Sequence, residues 1–278
     1  MRIDQLLVQR QLASTRSQAQ RLIADGVEWL QGETWRRVAK NGDEVPDDAA
    51  IRLLDDSEAR YVSRGGLKLE AALKQVGLSV AGLQCLDVGQ STGGFTDCLL
   101  QHGAALVVGV DVGSAQLHPS LRQNPRVLCL EKLNARTLTA TDLIAYYADW
   151  TVARGQFGIN NEAASGVPTE ADFRPEFDLI VADLSFISQT LVLPAVVPML
   201  KAGGTLLTLV KPQFELQPGQ VGKGGIVKDA TMYLLVEQRL REACAALGLT
   251  VTAWFDSPIE GGDGNREFFI CASKLNAL

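Results

Sequence analysis

The sequence predicts an α/β protein: a doubly wound, mostly parallel sheet with a reversed edge strand, preceded by a small α+β module. Three observations carry that prediction. Short apolar runs with an aspartate at or near their ends, Asp87, Asp111 and Asp183, alternate with helix-like stretches, the pattern of βα units. The first of these runs, Leu83–Val88, breaks at Gly89 into a small polar turn and resumes as a helix from Gly94. The last two strand-like runs, Leu249–Phe255 and Glu267–Ala272, have no helix between them and should pair antiparallel.

The 278 residues suffice for one medium domain and one small one. The longest apolar stretches, near Ala104–Val110 and Leu191–Leu200, are too short to span a bilayer. The opening MRIDQLLVQR lacks the apolar core of a signal peptide, so export is not expected. Five cysteines without C-x-x-C spacing read as buried thiols in a reducing cytoplasm, with neither a disulfide framework nor a zinc site. Two histidines argue against a His-based metal site, and no metal is expected. The net charge of −6 is unevenly spread. Residues 1–40 carry seven Lys/Arg against four Asp/Glu, and the remainder nineteen against twenty-eight. Contact with a polyanion is therefore expected to begin at the front.

Taken in order, Ile3–Gln11 reads as a short helix, and Thr15-Arg16-Ser17-Gln18 as a capping box opening a second helix that stops at Gly26. VEWL and TWRRVAK follow as strands around Gly32, with a turn at Asn41-Gly42. Residues 44–60 are acidic and finish the first domain, 1–60, or link it to the second, 61–278. Gly65-Gly66 opens a helix with Leu69, Ala72, Leu73 and Val76 on one face. Lys68 lies in its first turn, where spacing alone makes it a surface lysine opposing the helix dipole. After the strands Ala105–Asp111 and Arg126–Glu131, Thr139–Ala148 is helical and about 149–176 is a surface insertion without apolar periodicity. Asp178–Asp183 is the fourth strand, and Ser188–Leu200 is a helix shortened or kinked by Pro194 and Pro198. Thr205–Lys211 is the fifth strand, and Pro218–Asp229 a glycine-rich loop before a long helix through Val236, Leu240, Ala243 and Leu247. Gly261–Gly264 is a turn between the closing strands.

The turn after Leu83–Val88 is a pocket for a nucleoside cofactor, and three classes compete for it. A phosphate-cradling loop needs a G-x-x-x-x-G-K-[ST] lysine that Gly89–Phe95 lacks. The dinucleotide spacing G-x-G-x-x-G is not met by Gly89, Gly93 and Gly94. S-adenosylmethionine carries no phosphate. It needs close backbone approach at its methionine end and a carboxylate for its ribose, which Asp111 can supply. This chemistry ranks a methyltransferase first.

The motifs D-V-G-x-S-T-G-G-F-T-D-C-L-L, Y-V-S-R-G-G-L-K-L-E-A-A-L, A-D-L-S-F-I-S and K-P-Q-F-E resemble the TlyA family of ribosomal RNA 2′-O-methyltransferases, some of which carry the name haemolysin A. The body is similar to the FtsJ-like ribose methyltransferases, and residues 2–27 resemble the S4-like RNA-binding domain. The resemblance implies a Rossmann-like S-adenosylmethionine-dependent methyltransferase sheet behind an S4-like module, with ribosomal RNA or ribosomal subunits as partner and no membrane. It implies no oligomeric state. It places Lys68, Asp183, Lys211 and Glu267 at the reaction centre, with Lys211 as base. Asp87, Gly89, Ser91, Thr92, Gly93, Gly94, Phe95, Asp111, Val112 and Asn134 are its cofactor residues. Arg10, Arg16, Gln20 and Arg21 are its RNA contacts, and Arg64 and Lys223 are further candidates for RNA contact. Two departures stand out. Gln90 occupies a place usually held by a small residue, and Gln31-Gly32 followed by Trp35-Arg36-Arg37 replaces the usual hairpin Asn-Gly.

A sulfonium methyl is already activated, so the protein mainly aligns a 2′-hydroxyl and removes its proton. A lysine serves as base when its pKa falls, which a second ammonium nearby achieves by repulsion, while carboxylates hold the pair in place. An exocyclic amine acceptor would want N/D-P-P-Y where Asp183-Leu184-Ser185-Phe186 stands, and cytosine C5 chemistry would want a Pro-Cys nucleophile that is missing. Lys223, Lys228 and Arg266 fit phosphate contacts and solvated charges equally. Two rival classes are a catalytically silent RNA-binding or assembly factor and a membrane-active haemolysin, the latter needing an apolar or amphipathic membrane segment.

Overall fold

The computed structural model describes residues 1–13, 15–54, 59–156, 167–259 and 264–276. Ser14 of the S4-like pattern, the middle of the expected 149–176 insertion and most of the Gly261–Gly264 turn lie outside them. The chain forms two compact units, Met1–Leu67 and Lys68–Leu278.

In the first unit, α1 (Ile3–Gln9) and α2 (Arg16–Gly26) accompany an antiparallel sheet of order β2-β1-β3, made of β1 (Val27–Gln31), β2 (Thr34–Arg37) and β3 (Ile51–Leu53). Ile3, Leu6, Leu7, Leu22, Ile23 and Val27 form its core. The Gln18 backbone N–H donates to Thr15 Oγ1 at 3.2 Å, as the capping box requires, and the Gln18 amide reaches the Tyr61 carbonyl. Strand β3 lies inside the acidic stretch read as a linker. At three residues it is too short to show a period, and tertiary pairing fixes it, with Ile51 opposite Trp29 and Leu53 opposite Val27. Asp4 is fully buried and held by Arg2 at 3.0 and 3.1 Å and by Arg16 at 2.9 Å. The Arg2 hydrogen bond first, and then Arg16, keep its carboxyl well below the usual carboxylate range.

Helix α3 (Arg64–Val76) carries the chain into the second unit. There β4 (Gln84–Val88), α4 (Gly94–Gln101), β5 (Leu106–Val110), α5 (Pro119–Arg122), β6 (Val127–Leu130), α6 (Ala140–Gln156) and β7 (Phe177–Asp183) alternate. Then follow α7 (Leu193–Val196), β8 (Leu200–Val210), α8 (Pro212–Glu215), α9 (Thr231–Ala246), β9 (Leu249–Asp256) and β10 (Phe268–Lys274). The sheet order is β6-β5-β4-β7-β8-β10-β9. Strands β4 to β8 run parallel and are buried on both faces, which is why they read as continuous apolar runs. The reversed strand, β10, lies one place in from the edge, between β8 and β9. Sequence order reverses between β4 and β7, so the crevice beyond their carboxyl ends is the natural ligand site.

Two expectations need correction. Helix α6 continues to Gln156, past the expected start of the insertion. Tyr147 on it stacks on Phe173 at 3.8 Å and its hydroxyl donates to the Pro168 carbonyl at 2.6 Å. Residues 167–173 are thereby tied to the core, a long-range aromatic contact with no periodic signature. The expected helix over 188–200 is instead a 3₁₀ turn, Gln189–Leu191, the single turn α7 and a second 3₁₀ turn, Val197–Met199. Pro194 and Pro198 remove the donors a continuous helix needs.

A carboxyl with a depressed pKa stabilises the folded state above its unfolded pKa, and that contribution disappears as pH falls through the folded value. Asp4→Asn should therefore lower stability at neutral pH by about 1–2 kcal/mol. The gap from wild type should close on acidification below about pH 4. Thermal unfolding followed against pH checks both.

Candidate active site

Where β4 ends, the chain turns sharply. Gly89 has φ +83°, and its N–H donates to the Val110 carbonyl at 2.8 Å. A Cβ there would sit 2.7 Å from the Asp183 carbonyl oxygen, so only glycine lets the turn cross the end of β7. Gln90 points inward. Its amide donates to Thr96 Oγ1 at 2.9 Å, and the Thr96 hydroxyl donates to the buried Asp87 at 2.7 Å. Space for that amide comes from Gly109 on β5, where a Cβ would lie 1.9 Å from Gln90 Nε2. The unusual glutamine is thus absorbed by a neighbouring strand. Burial pushes the Asp87 carboxyl up to about 7, against the lowering effect of the Thr96 hydrogen bond.

Beyond β5, Asp111 is fixed by two backbone donors: Ser91 N–H reaches Oδ2 and Gly113 N–H reaches Oδ1, each at 2.7 Å. A cavity of about 580 Å³ opens here. Five of the ten expected cofactor residues line it: Gly89, Ser91, Asp111, Val112 and Asn134. The other five form the scaffold behind it. Asp87 is buried, Thr92 accepts the His118 N–H through its carbonyl, and Gly93 packs against Leu117 and Leu121. Gly94 opens α4, and Phe95 stacks on Phe269. Gln116, Arg136 and Phe186 line the cavity without having been singled out in the sequence. Gln116 and Phe186 sit in irregular segments and Arg136 in a three-residue 3₁₀ turn, all too short or irregular for periodicity to carry a signal. Phe186 is 90 % exposed, has φ +63° and leans on Phe214 at 4.9 Å. A non-glycine residue in the left-handed region carries backbone strain, which the surrounding contacts must hold.

The structure brings Lys68, Asp183, Lys211 and Glu267 together as two ion pairs. Lys211 Nζ lies 2.5 Å from Asp183 and 3.0 Å from Ser185 Oγ, and Lys68 pairs with Glu267 in the interior. Phe268 pairs with Val210 across β10 and β8, so Glu267 and Lys211 are the next residues on that rung. Asp183, at the end of β7, also lines the cavity. The reading of Lys68 as a surface lysine is corrected by its burial against Glu267. Ser185 lies within A-D-L-S-F, but its contact with Lys211 depends on the approach of two loops.

The expected RNA residues divide. Arg10 donates to the carbonyls of Asp47 and Ala49, and Arg16 to Asp4, so both hold the first unit together. Gln20 and Arg21 are half-exposed on α2, Arg64 begins α3, and Lys223 is exposed in a 3₁₀ turn. Among the described residues no group of three or more His, Cys, Asp or Glu is placed to hold a metal. No described helix is long and apolar enough to cross a membrane.

Residues 61–274 match the FtsJ-like methyltransferase family and residues 1–26 the S4 domain. The 16S/23S rRNA (cytidine-2′-O)-methyltransferase TlyA of Mycobacterium tuberculosis is 42 % identical over 97 % of this chain and 88 % of its own length. The chain belongs to the TlyA family of FtsJ-like methyltransferases. Hemolysin A of Brachyspira hyodysenteriae is 35 % identical over 96 % of this chain and 98 % of its own. A solved Streptococcus thermophilus protein with a hemolysin designation matches at 36 % identity and TM-score 0.68, covering 100 % of this chain and 91 % of that one. In this chain the room for the Gln90 amide is made by Gly109 on β5.

Gly109→Ala should destabilise the protein by about 1–3 kcal/mol, because its methyl would collide with the Gln90 amide. Combining it with Gln90→Ala should restore most of the loss. Chemical denaturation of the two single variants and the double checks this, and additive losses would contradict it.

Proposed function

We propose that this chain is a cytoplasmic S-adenosylmethionine-dependent methyltransferase that methylates a ribose 2′-hydroxyl of ribosomal RNA. The observation that carries the proposal is the Lys211–Asp183 pair standing at the end of β7, whose last residue also walls the nucleoside-sized cavity. The cavity suits that cofactor. Asp111 is pre-oriented to accept ribose hydroxyl hydrogen bonds, and Val112 and Leu133 supply apolar wall for a base. No lysine follows the glycine turn to take a phosphate.

When bound, S-adenosylmethionine supplies a methyl group on sulfonium sulfur, already activated for transfer. The protein's task is then alignment and proton removal. Lys211 Nζ, once the proton it carries in the pair with Asp183 has passed to solvent, takes the 2′-hydroxyl proton while the oxygen acquires the methyl. Asp183 then holds the ammonium that forms, and Ser185 fixes the direction of Nζ. Lys68 and Glu267, buried beyond the same Phe268–Val210 pair, supply a second cation and its counter-charge, keeping the local charge balanced. Phe186 offers an exposed face on which an unstacked base beside the target ribose can lie. The S4-like unit brings the basic surplus of residues 1–40 to the RNA.

Purified protein incubated with labelled S-adenosylmethionine and each ribosomal subunit should place label on a ribose. Lys211→Ala should lower the transfer rate at least about 100-fold while calorimetry finds cofactor affinity nearly unchanged. Asp111→Ala should do the reverse, weakening cofactor binding first. Wild-type transfer by Lys211→Ala would overturn the assignment.

A further inference from the structure

Two loops carry the groups around Lys211, and they meet in register. Asp183 and Ser185 of the first contact Lys211 of the second. Phe186 then leans on Phe214. Finally, Ser188 Oγ donates to Glu215 at 2.5 Å and the Gln189 N–H donates to its other oxygen at 2.8 Å. Glu215 is 3 % exposed. Burial raises its carboxyl pKa, opposed by the hydrogen bonds from Gln189 and Ser188. Its partner Gln189 and its own backbone are in turn fixed. The Gln189 amide donates to the Leu209 carbonyl and accepts from the Thr208 hydroxyl, at 2.8 and 2.7 Å, two and three residues before Lys211 on β8. The Glu215 carbonyl receives the Arg239 guanidinium from α9.

We propose that Glu215 is a positioning residue for the reaction: its buried carboxylate locks the Asp183–Gln189 loop to the Lys211–Glu215 loop, and so sets where Lys211 Nζ meets Asp183 and Ser185. The inference rests on the methyltransferase reading above. Lys211 is the residue before α8, and Glu215 closes that single turn. With Pro212 restricting the backbone at its start, displacement of Glu215 is transmitted to Lys211 with little slack. A simple packing role would need no carboxylate, since an apolar side chain fills such a space without the cost of burying a charge. What the carboxylate adds is simultaneous acceptance of two donors from one loop, which fixes that loop's direction as well as its distance.

The test compares steady-state transfer to ribosomal subunits, at saturating S-adenosylmethionine and well below each variant's unfolding temperature, for wild type, Glu215→Ala, Glu215→Gln and Ser188→Ala. Glu215→Ala should lower kcat about 10–100-fold with the KM for RNA nearly unchanged. Glu215→Gln keeps one acceptor for Gln189 and a polar contact to Ser188, and should recover most of the rate. Ser188→Ala should cause a smaller loss, and adding it to Glu215→Ala should cost nothing further, because both remove the same bond. Should Glu215→Ala not fold, Ser188→Ala and Glu215→Gln still decide: a wild-type kcat in Ser188→Ala would overturn the inference. A folded Glu215→Ala with wild-type kcat would overturn it too, as would losses confined to unfolding temperature. If wild-type protein itself transfers no methyl, the functional reading falls and takes this inference with it.

Discussion

The contact on which the rest of the second unit depends is the passage of Gly89 over the Asp183 carbonyl. Strands β4 and β7 pair in parallel, so their carboxyl ends emerge side by side and the two departing loops compete for the same space. Absence of a side chain at Gly89 resolves the competition in favour of close approach. One consequence is that the cavity beside Asp111 and the ion pair at Asp183 share a wall. A side chain at Gly89 would push the turn and β7 apart, separating the place where a cofactor can be held from the groups that can act on its neighbour. In a doubly wound sheet this separation is set by strand order, because only at the reversal do two adjacent strand ends send their loops to opposite sides.

Charge at that site is balanced locally. Lys211 and Lys68 each have a carboxylate, and the two pairs flank one rung between β8 and β10. A buried ammonium without a partner would be prohibitively costly, so the pairing is what allows two lysines to occupy the end of the sheet. The partners come from four different elements: α3, the end of β7, the residue after β8 and the residue before β10. Glu215 extends the same logic to neutral geometry, its charge spent on orienting a loop. By contrast Asp87, behind the turn, is buried with the Thr96 hydroxyl as its hydrogen-bond donor, and burial pushes its carboxyl up.

Much of this was legible in the sequence, and the exceptions share a cause. The βα alternation, the glycine turn and the antiparallel closing pair followed from period and punctuation, which are local properties. The members of the Lys68, Asp183, Lys211 and Glu267 set came from motifs, since spacing alone left Lys68 on the surface. Its burial depends on Glu267, 199 residues away. Strand β3, the tie between Tyr147 and Phe173, and the broken helix before β8 were missed or misjudged because each is decided by a distant partner or by an accumulation of short turns. Gln116, Arg136 and Phe186 enter the cavity from loops, where residue type says little about direction. Glu215 sat in plain view within K-P-Q-F-E, but an acidic residue after a short turn reads as solvated until its two donors are known.

The N-terminal surplus of positive charge has a related subtlety. Arg16 is bonded to the buried Asp4, and Arg10 is turned onto the carbonyls of Asp47 and Ala49, so part of the arginine complement of residues 1–40 stabilises the unit that displays it. A guanidinium shared with a buried carboxylate projects less net potential than a free one, although its outer edge stays open to a phosphate. Arg16 keeps about half of its side-chain surface exposed. Counting basic residues thus overstates the field available to a polyanion, while the fold gains rigidity from the same groups. The arginine that ties α2 to α1 through Asp4 is thereby held in one geometry, so its charge has a fixed position on the surface of the unit where a free side chain would spread it.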